Sequence, residues 1–483
     1  MKSYKDEKIH FVGVGGISMS ALAKFVKKQG GIVSGSDREK SNVTTELETY
    51  FPVYYGEHPE AVEDCNSVVY SSAINFDNLE LVRARELGVP TIERHEFLGQ
   101  IARVFEKVVA VGGTHGKTTV TAMIVHGMKN LKTEFSAHVG GETEFGNLIL
   151  SGNEIFVTEA CEYKRSLLSL SPSVSVVLNT ELDHPDCYGD MKSLLQVFLT
   201  FLEKGKNQVF SAKLYDICRD EHISIEEYEK MRVGCEDIKN CTELNGNEVI
   251  ALSNGKVKIW SFDNLRVVDN KPKIDIYENG KSVCEISLFD KDKTTIENYL
   301  FVVAVLDIFG YGVKEICDTL KNFKGVKRRK EYVGMLKGAK VVFDYAHHPT
   351  QIRNIISSFE GRNLVVFQPH TYSRTKAYFN DFCNALSLAD TVIITETYGA
   401  REKKIDGADS SDLATQISTI IAKERVEHIT STSKTIDYVI NHANEYNNIL
   451  FLGAGDIYLL KDKIAPYLDN VFGVEIKDIV QVF

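Results

Sequence analysis

The stretch KVVAVGGTHGKTTVTAMIVHGM, at residues 107–128, decides the fold class of this chain. An apolar strand runs into a glycine-rich turn, and an apolar helical stretch follows from Lys117. Backbone amides of such a turn, with a helix N-terminus behind them, form an anion site. Lys117 is placed to contact the β- and γ-phosphates of a nucleotide, and Thr118 to reach magnesium. The pattern therefore predicts a parallel α/β domain with a phosphate loop that uses ATP or GTP.

The loop departs from the usual form at one position, because Val111 stands where a glycine normally lies six residues before the lysine. A plain glycine-rich turn is the alternative interpretation. The combination of a strand, the residues Gly-Lys-Thr-Thr and a helix favours the phosphate loop.

Apolar strands alternate with helical stretches along the whole chain, which is typical of parallel α/β architecture. A second strand–glycine–helix unit opens the chain, and polar, turn-rich strands are expected between residues 215 and 298. We therefore predict three domains: a Rossmann-like domain at 1–104, a central phosphate-loop ATP-binding α/β domain at 105–326 and a C-terminal Rossmann-like α/β domain at 327–483. The expected strands are His10–Gly13, Ser67–Ser71, Lys107–Val111, Glu154–Glu159, Ser173–Leu178, Lys340–Phe343, Asn363–Phe367, Thr391–Ile394 and Asn448–Leu452.

Composition limits the classes of function. A net charge of -11 and a pI near 5.7 argue against a general nucleic-acid or membrane binder. No apolar run reaches the roughly 18 residues that a membrane span needs, and the first residues lack the apolar core of a signal peptide. We expect a cytoplasmic protein with no nucleic-acid partner. Nine cysteines without a Cys-x-x-Cys pair predict free thiols rather than disulfides or a zinc site.

The first glycine loop, Gly13-x-Gly15-Gly16-x-Ser18, also follows a strand, and Asp37 ends the next one. This arrangement is similar to a dinucleotide fingerprint, in which the acid binds a ribose hydroxyl. Ser18 replaces the third glycine of that fingerprint. The motif alone leaves three alternatives open: a nicotinamide dinucleotide, another phosphorylated or nucleotide ligand, or a turn that merely requires glycine.

Carboxylates and a histidine follow two further strands. Glu159 and Glu162 end one strand, and Asp183 and His184 follow the next. Oxygen ligands and an imidazole beside a phosphate loop are what a divalent cation between nucleotide and substrate requires. Ordinary solvated strand ends are the alternative interpretation.

Three turns in the last third of the chain carry polar side chains after strands. They are DYAHHPT at 344–350, QPHTYSRT at 368–375 and GAGD at 453–456. Taken singly, each is a turn after a strand. Taken in order with GVGGISMSALA at 13–23, GTHGKTT at 113–119 and the other strand-end motifs, they resemble the Mur ligase family along essentially the whole chain.

The resemblance implies an ATP-dependent ligase of peptidoglycan synthesis, most similar to members that join L-alanine to the lactyl carboxylate of UDP-N-acetylmuramate. It implies ATP and Mg²⁺ as cofactors and UDP-N-acetylmuramate and L-alanine as substrates. The implied UDP-sugar site contains Gly15, Gly16, Asp37 and Ser72. The implied ATP site contains Gly113, Thr114, His115, Gly116, Lys117, Thr118, Thr119, Asn298, Arg328 and Asp344. The implied metal ligands are Thr118, Glu159 and His184, the amino-acid pocket is His348, His370 and Arg374, and the catalytic set is Lys117, Glu159, His184, His348 and Arg374.

The chain departs from the family pattern at Thr371, where an arginine is common, and Arg329 or Lys330 is the expected replacement. Glu297 stands where a histidine usually precedes the asparagine near adenine. Several alternatives stay open. They are a recycling ligase of the same family that attaches a tripeptide, a nicotinamide-dependent oxidoreductase built on the first glycine loop, and a non-catalytic nucleotide sensor. We expect a monomer or a homodimer, and either His348 or His370 as the base that takes the proton of the amine.

Overall fold

The structure is a computed structural model in which the chain forms two compact units. The first comprises the residues up to 183 together with 187–324, and the second comprises 184–186 together with 325–483. Within the ranges described, no helix has the length and apolar character needed to cross a membrane. The structure describes residues 4–184, 187–221, 247–269, 271–400 and 402–469.

A five-stranded parallel sheet opens the first unit. The strand order is β3-β2-β1-β4-β5, and all neighbours run parallel. The carboxyl ends of β1, β2 and β4 therefore lie at one edge, where open parallel sheets bind ligands. The strands are β1 Lys8–Val12, β2 Ile32–Asp37, β3 Val53–Tyr55, β4 Ser67–Tyr70 and β5 Thr91–Glu93. The helices are α1 Ile17–Lys28, α2 Asn42–Leu47, α3 Leu79–Leu87 and α4 Arg94–Ala102, with a 3₁₀ turn at Pro59–Val62.

A ten-stranded sheet forms the rest of the first unit, in the order β15-β14-β13-β12-β11-β10-β6-β9-β7-β8. The five strands from β11 to β7 run parallel, and antiparallel pairs extend both ends. The middle strands are apolar along nearly their whole length because both faces are covered. The strands are β6 Lys107–Gly112, β7 Ser136–Thr143, β8 Gly146–Leu150, β9 Ile155–Glu159, β10 Val174–Val177, β11 Asn207–Ser211, β12 Val249–Ser253, β13 Lys256–Val268, β14 Lys271–Glu278 and β15 Lys281–Ser287.

Five helices of the described residues accompany this sheet. Side-chain caps fix two of their starts, since Asp190 accepts from the Ser193 amide and Asp292 from the Thr295 amide. The helix after the phosphate turn packs against the helix that carries Asn298. The helices are α5 Lys117–Asn130, α6 Met191–Lys204, α7 Lys213–Asp220, α8 Lys293–Ile308 and α9 Val313–Leu320, with a 3₁₀ segment at Tyr163–Ser169.

The second unit contains a six-stranded sheet in the order β16-β17-β21-β18-β19-β20, with only the β16–β17 pair antiparallel. The strands are β16 Glu331–Leu336, β17 Ala339–Asp344, β18 Asn363–Phe367, β19 Thr391–Ile394, β20 Val426–His428 and β21 Asn448–Leu452. The helices are α10 Pro349–Ser357, α11 Tyr372–Ala377, α12 Phe379–Leu386, α13 Ser410–Ile420, α14 Thr432–His442 and α15 Leu460–Ile464. Short 3₁₀ turns lie at Lys423–Arg425, Ala443–Glu445, Asp456–Leu459 and Ala465–Tyr467.

The predicted parallel α/β fold is confirmed. Three of the nine expected strands coincide with the observed ones, and the other six agree within two residues at each end. The turn-rich strands expected after residue 215 are present as the antiparallel extension β12–β15. The part of that region at 222–246 lies outside the described residues. The boundaries at 104 and 326 remain predictions.

The cysteines require a correction. Cys284 on β15 and Cys317 on α9 are joined in a disulfide, with their Cα atoms 7.4 Å apart. The expectation of free thiols throughout is wrong for this pair, because β15 and α9 pack together although the cysteines are 33 positions apart. Among the described cysteines, Cys65, Cys161 and Cys383 are free thiols.

Candidate active site

The phosphate turn connects β6 to α5. Two of its glycines adopt left-handed conformations, Gly113 with φ of 130° and Gly116 with φ of 84°, which residues with side chains rarely adopt. Gly116 is the N-cap of α5, and no side chain among the described residues caps that helix. The first amide groups of α5 therefore have no side-chain competitor for an anion.

Asn179, just after β10, holds the turn from the neighbouring strand. Its Oδ1 accepts from the backbone N–H of His115 at 2.8 Å, and its Nδ2 donates to the His115 carbonyl at 3.1 Å. The Thr114 hydroxyl donates to the Glu181 carbonyl at 2.9 Å. His115 Nε2 also lies 2.9 Å from the Glu181 carboxylate. Asn179 was not among the functional residues predicted from the sequence, although an amide side chain directly after a strand is the signal that could have indicated it.

The Lys117 ammonium joins the turn to the acid cluster. Its Nζ donates to the carbonyls of Gly113 at 2.5 Å and Thr114 at 3.2 Å, and to Glu162 Oε2 at 2.8 Å. Burial alone would lower the pKa of Lys117, but the adjacent Glu162 carboxylate outweighs burial and the pKa is raised. The lysine is therefore held at the turn in its charged form.

Glu159, at the end of β9, faces the first turn of α5. The Thr118 hydroxyl donates to Glu159 Oε2 at 3.1 Å, and the Gly140 N–H donates to Oε1 at 2.6 Å. A Cβ added at Gly140 would lie 2.8 Å from either carboxylate oxygen, so glycine is needed for this approach. A hydroxyl and a carboxylate side by side are oxygen ligands of the kind that Mg²⁺ takes. These two residues therefore fit a hard divalent cation.

Asn298, Thr119 and His184 complete the residues expected around the nucleotide. Asn298 on α8 is buried, and its Oδ1 lies 3.3 Å from where a Cβ on Gly116 would stand. Thr119 lies in the first turn of α5. His184 has a left-handed backbone with φ of 55° and belongs to the second compact unit. Its place among the metal ligands remains a prediction.

The residues predicted to face the UDP sugar lie at the carboxyl edge of the first sheet. The Gly15 N–H donates to Asp37 Oδ2 at 2.7 Å, so the acid that ends β2 fastens the glycine turn. A Cβ on Gly15 would stand 2.8 Å from that oxygen. Gly16 is the N-cap of α1, and Ser72 follows β4, which pairs with β1. Their assignment to a nucleotide sugar remains a prediction.

His138, on β7, links the first sheet's glycine turn to the strand that carries Glu159. Its Nε2 lies 2.9 Å from the Ser18 hydroxyl, and its Nδ1 lies 3.1 Å from the Thr158 hydroxyl. Arg94 also donates to the Ser18 hydroxyl at 3.2 Å. Ser18, Arg94 and His138 line one cleft together with Glu159. Burial, and then the Arg94 cation, lower the pKa of His138 to about 3.

This lowered pKa predicts an acid-sensitive contribution to stability. Below the ordinary histidine pKa near 6.5, His138 binds a proton in the unfolded chain but stays neutral in the folded protein. The free energy of unfolding is therefore highest above about pH 6.5 and decreases as the pH falls toward 3. The loss amounts to about 2 kcal/mol at pH 5. Between pH 7 and pH 5, we expect the free energy of unfolding of His138→Gln to decrease by about 2 kcal/mol less than that of the wild type.

Urea unfolding monitored by the fluorescence of Trp260 measures this difference. Trp260 is the single tryptophan of the chain, and it is buried in the first unit. Equal pH dependence in wild type and His138→Gln would show that His138 is not the titrating group.

In the second unit, Arg328 precedes β16, and Asp344 ends β17, the strand that pairs with β16. The Arg328 guanidinium lies 4.8 Å from the ring centre of Tyr345 and 4.9 Å from that of Tyr458. Asp344 accepts from the backbone N–H groups of Lys330 and Ala346, each at 2.7 Å. Burial raises the pKa of Asp344. Both residues predicted to contact the nucleotide are thus fixed in place, while their ligand remains a prediction.

The residues predicted for the amino-acid pocket also lie in the second unit. Arg374 is buried, and His348 caps α10 by accepting from the Thr350 amide at 3.4 Å. His370 stacks on Tyr398, and burial followed by the nearby Arg374 lowers the pKa of His370 to about 4.

Thr371, whose side chain departs from the family pattern, also has an unusual backbone conformation. Its φ is 66°, a conformation that costs energy for a β-branched residue. Its N–H donates to the Tyr398 carbonyl at 2.9 Å, which helps to fix this conformation. Strain of this kind concentrates at functional sites, so its position beside the predicted pocket supports that assignment.

A phosphate turn closed by a charged lysine, beside a hydroxyl–carboxylate pair, defines a nucleotide-binding α/β protein. Three domain models match the chain in order: "Mur ligase family, catalytic domain" at residues 8–106, "Mur ligase middle domain" at 111–306 and "Mur ligase, glutamate ligase domain" at 328–455. The chain belongs to the Mur ligase family. The family membership expected from the motifs is confirmed.

Individual relatives are similar to this chain over nearly its whole length. The chain is 34% identical to the UDP-N-acetylmuramate–L-alanine ligase of Alkaliphilus metalliredigens, over 95% of this chain and 97% of that protein. It is 35% identical to the ligase of the same name from Clostridium beijerinckii, with the same coverage. Among solved structures, the UDP-N-acetylmuramate–alanine ligase of Thermotoga maritima superposes with a TM-score of 0.75 at 26% identity, covering 95% of this chain and 98% of that one.

A murein peptide ligase from Psychrobacter arcticus superposes with a TM-score of 0.65 at 17% identity, covering 97% of this chain and 100% of that one. This second likeness shows a shared fold alone. The hypothesis of a nicotinamide-dependent oxidoreductase, drawn from the first glycine loop, is set aside by the family membership.

Proposed function

We propose that this protein joins L-alanine to the lactyl carboxylate of UDP-N-acetylmuramate, at the expense of ATP, in peptidoglycan synthesis. The observation that carries the proposal is the phosphate turn, in which charged Lys117 lies beside the Thr118–Glu159 pair. The identity of 34% to 35% with ligases of that name, over 95% of the chain, supports the choice of substrates.

Amide formation from a carboxylate requires activation, because the oxygen of a carboxylate is a poor leaving group. The lactyl carboxylate attacks the γ-phosphorus of ATP, which forms an acyl phosphate and releases ADP. During this transfer, negative charge spreads over the phosphoryl oxygens. Lys117 and the first amide groups of α5 stabilise that charge, because they are fixed at the turn before the reaction begins.

Magnesium is the cation proposed for this site. Thr118 and Glu159 would hold it, because they offer a hydroxyl and a carboxylate oxygen at the mouth of the phosphate turn. When bound, the ion neutralises charge on the phosphate oxygens. We include His184 as a third ligand on the basis of the family motif.

In the second step, the neutral amine of L-alanine attacks the acyl carbon, and inorganic phosphate leaves. A base with a pKa near the working pH is the most efficient acceptor for the amine proton. The pKa of about 4 makes His370 a weak base, and His348 is the other candidate. Buried Arg374 is the proposed partner of the alanine carboxylate, since its guanidinium can bind that group through two hydrogen bonds.

Phosphate release tests the function directly. We expect release from ATP and magnesium to require both UDP-N-acetylmuramate and L-alanine. Glycine lacks the methyl group of L-alanine, so its kcat/KM should be lower than that of L-alanine by about tenfold or more. L-Serine and the tripeptide of the recycling reaction are the other acceptors, and Lys117→Ala is the control without activity.

The outcomes separate the alternatives left by the sequence. Release with the tripeptide alone would assign the protein to cell-wall recycling. ATP binding without release for any acceptor would favour a nucleotide sensor and overturn the proposed reaction.

We further propose a cytoplasmic enzyme that works as a monomer or homodimer. The acidic net charge of -11 and the soluble nature of the substrates support this. No nucleic-acid partner or membrane insertion is part of the proposal.

A further inference from the structure

The buried side chain of Glu80, on α3, forms hydrogen bonds with β1, with β2 and with the backbone at His58. The Glu80 side chain, in the first turn of α3, is 1% exposed. Its Oε2 accepts from the Ser36 hydroxyl at 2.8 Å, and its Oε1 accepts from the backbone N–H of His58 at 3.2 Å. The Nε2 of His10, on β1, lies 3.3 Å from Oε1. A carboxylate buried to this degree is tolerated only when several donors satisfy it.

His10 contacts the network through both ring nitrogens. A carboxylate oxygen accepts hydrogen bonds, so a hydrogen bond between His10 Nε2 and Glu80 Oε1 is donated by the imidazole. The Nδ1 atom of His10 lies 2.8 Å from the Ser34 hydroxyl, on the same face of β2 as Ser36. His10, Glu80 and the two serines therefore form one buried network beneath the glycine turn.

This network reaches the glycine turn through Ser36. The Ser36 carbonyl accepts from the N–H groups of Gly13 at 2.8 Å and Val14 at 3.0 Å. The next residue, Asp37, accepts from the Gly15 N–H at 2.7 Å. Three consecutive amides of the turn are thus fastened to the last two residues of β2. Glu80 accepts a hydrogen bond from the Ser36 hydroxyl and so fixes the end of β2.

We propose that Glu80 is a positioning residue for the sugar-nucleotide site, acting on the glycine turn through Ser36. The proposal rests on the proposed function, which assigns this turn to the UDP portion of the substrate. The effect of Glu80 is to set the orientation of the turn before binding, which reduces the cost of ordering it when the ligand arrives.

Two serine variants test the proposal in the full-length protein. Ser36→Ala removes only the hydroxyl that Glu80 holds, and Ser34→Ala is the matched control, because it removes a hydroxyl of the same network two residues earlier. We expect Ser36→Ala to raise the Kd for UDP-N-acetylmuramate about tenfold, the scale of one lost hydrogen bond to a charged group. Ser34→Ala should change this Kd less than about twofold. Calorimetry measures both without turnover.

Glu80→Gln extends the test to the acid itself. The amide keeps one acceptor oxygen but loses the charge, so we expect an increase of about tenfold in the same Kd, while Glu80→Asp restores part of the affinity. The KM for ATP should stay within about twofold of wild type in every variant. Urea unfolding monitored at Trp260 confirms that each variant is folded before its affinity is compared.

The outcomes are distinguishable. If wild type binds UDP-N-acetylmuramate and Ser36→Ala binds it equally well, the positioning role is overturned and the proposed function stands. Equal losses in Ser36→Ala and Ser34→Ala, or a parallel rise in the KM for ATP, would also overturn it, since they indicate a general structural effect. If wild type binds no UDP-N-acetylmuramate, the proposed function fails, and this proposal fails with it.

Discussion

Lys117→Ala should reduce ADP formation at least about a thousandfold, while leaving the affinity for the sugar nucleotide nearly unchanged. The ammonium of Lys117 lies at the turn, where it contacts two backbone carbonyls and Glu162. Single-turnover measurement of ADP release separates the loss of chemistry from weaker ATP binding.

The same substitution removes the Lys117 ion pair from Glu162, a buried acid whose side chain is only 3% exposed. Such a loss costs about 3–5 kcal/mol of stability. The double variant Lys117→Ala/Glu162→Gln should recover much of that stability without recovering activity. This comparison separates a folding defect from a phosphate-binding defect.

Lys258→Ala is the matched control, since Lys258 also forms ion pairs in the first unit, with Asp307 and Glu278, but lies on β13. It should retain normal turnover. Near-normal ADP formation by Lys117→Ala would contradict the role assigned to the phosphate turn.

The sequence predicted the fold well where strands are short, apolar and bounded by polar residues. Asn363–Phe367 and Asn448–Leu452 were expected at their observed bounds, because buried parallel strands are apolar on both faces. The phosphate turn was also predictable, since its glycines, lysine and threonine are consecutive. Left-handed φ at Gly113 and Gly116 explains why glycine is needed there.

Contacts between distant residues were not predictable from the chain alone. The hairpin β7–β8 has no regular alternation of apolar residues, and it brings His138 to Ser18 across 120 positions. Asn179 became a partner of the turn because β10 pairs with β6, a neighbour relation that local pattern does not encode. The Cys284–Cys317 disulfide has the same origin, since cysteine spacing gave no sign that a strand and a helix would meet.

The positions of Glu159 and Glu162 were predictable from the sequence, but their contacts were not. Sequence placed Glu159 and Glu162 near the phosphate turn, because both follow a strand of the same sheet. Only the structure separates their contacts: Glu162 pairs with Lys117, whereas Glu159 faces Thr118. Two acids three residues apart can therefore hold different cations, one a lysine and one the proposed magnesium.

Glu159→Gln is expected to reduce the turnover number about 100- to 1,000-fold and to raise the magnesium concentration needed for half-maximal activity. The two carboxylate oxygens accept from the Thr118 hydroxyl and the Gly140 N–H. A glutamine amide must keep its oxygen toward Gly140, because that N–H can only donate. Its NH₂ group then points toward Thr118, where it presents hydrogen atoms to the position at which a cation needs oxygen.

The substitution is nearly isosteric, so the fold should survive while cation binding weakens. Magnesium titration of phosphate release measures this directly, with Glu154→Gln as the control at the opposite end of the same strand. The Glu154 side chain is exposed, and its loss should leave the magnesium dependence unchanged. Normal turnover and normal magnesium dependence in Glu159→Gln would show that the metal binds elsewhere. In that case Glu159 would serve only to hold β7 against β9 through the Gly140 amide.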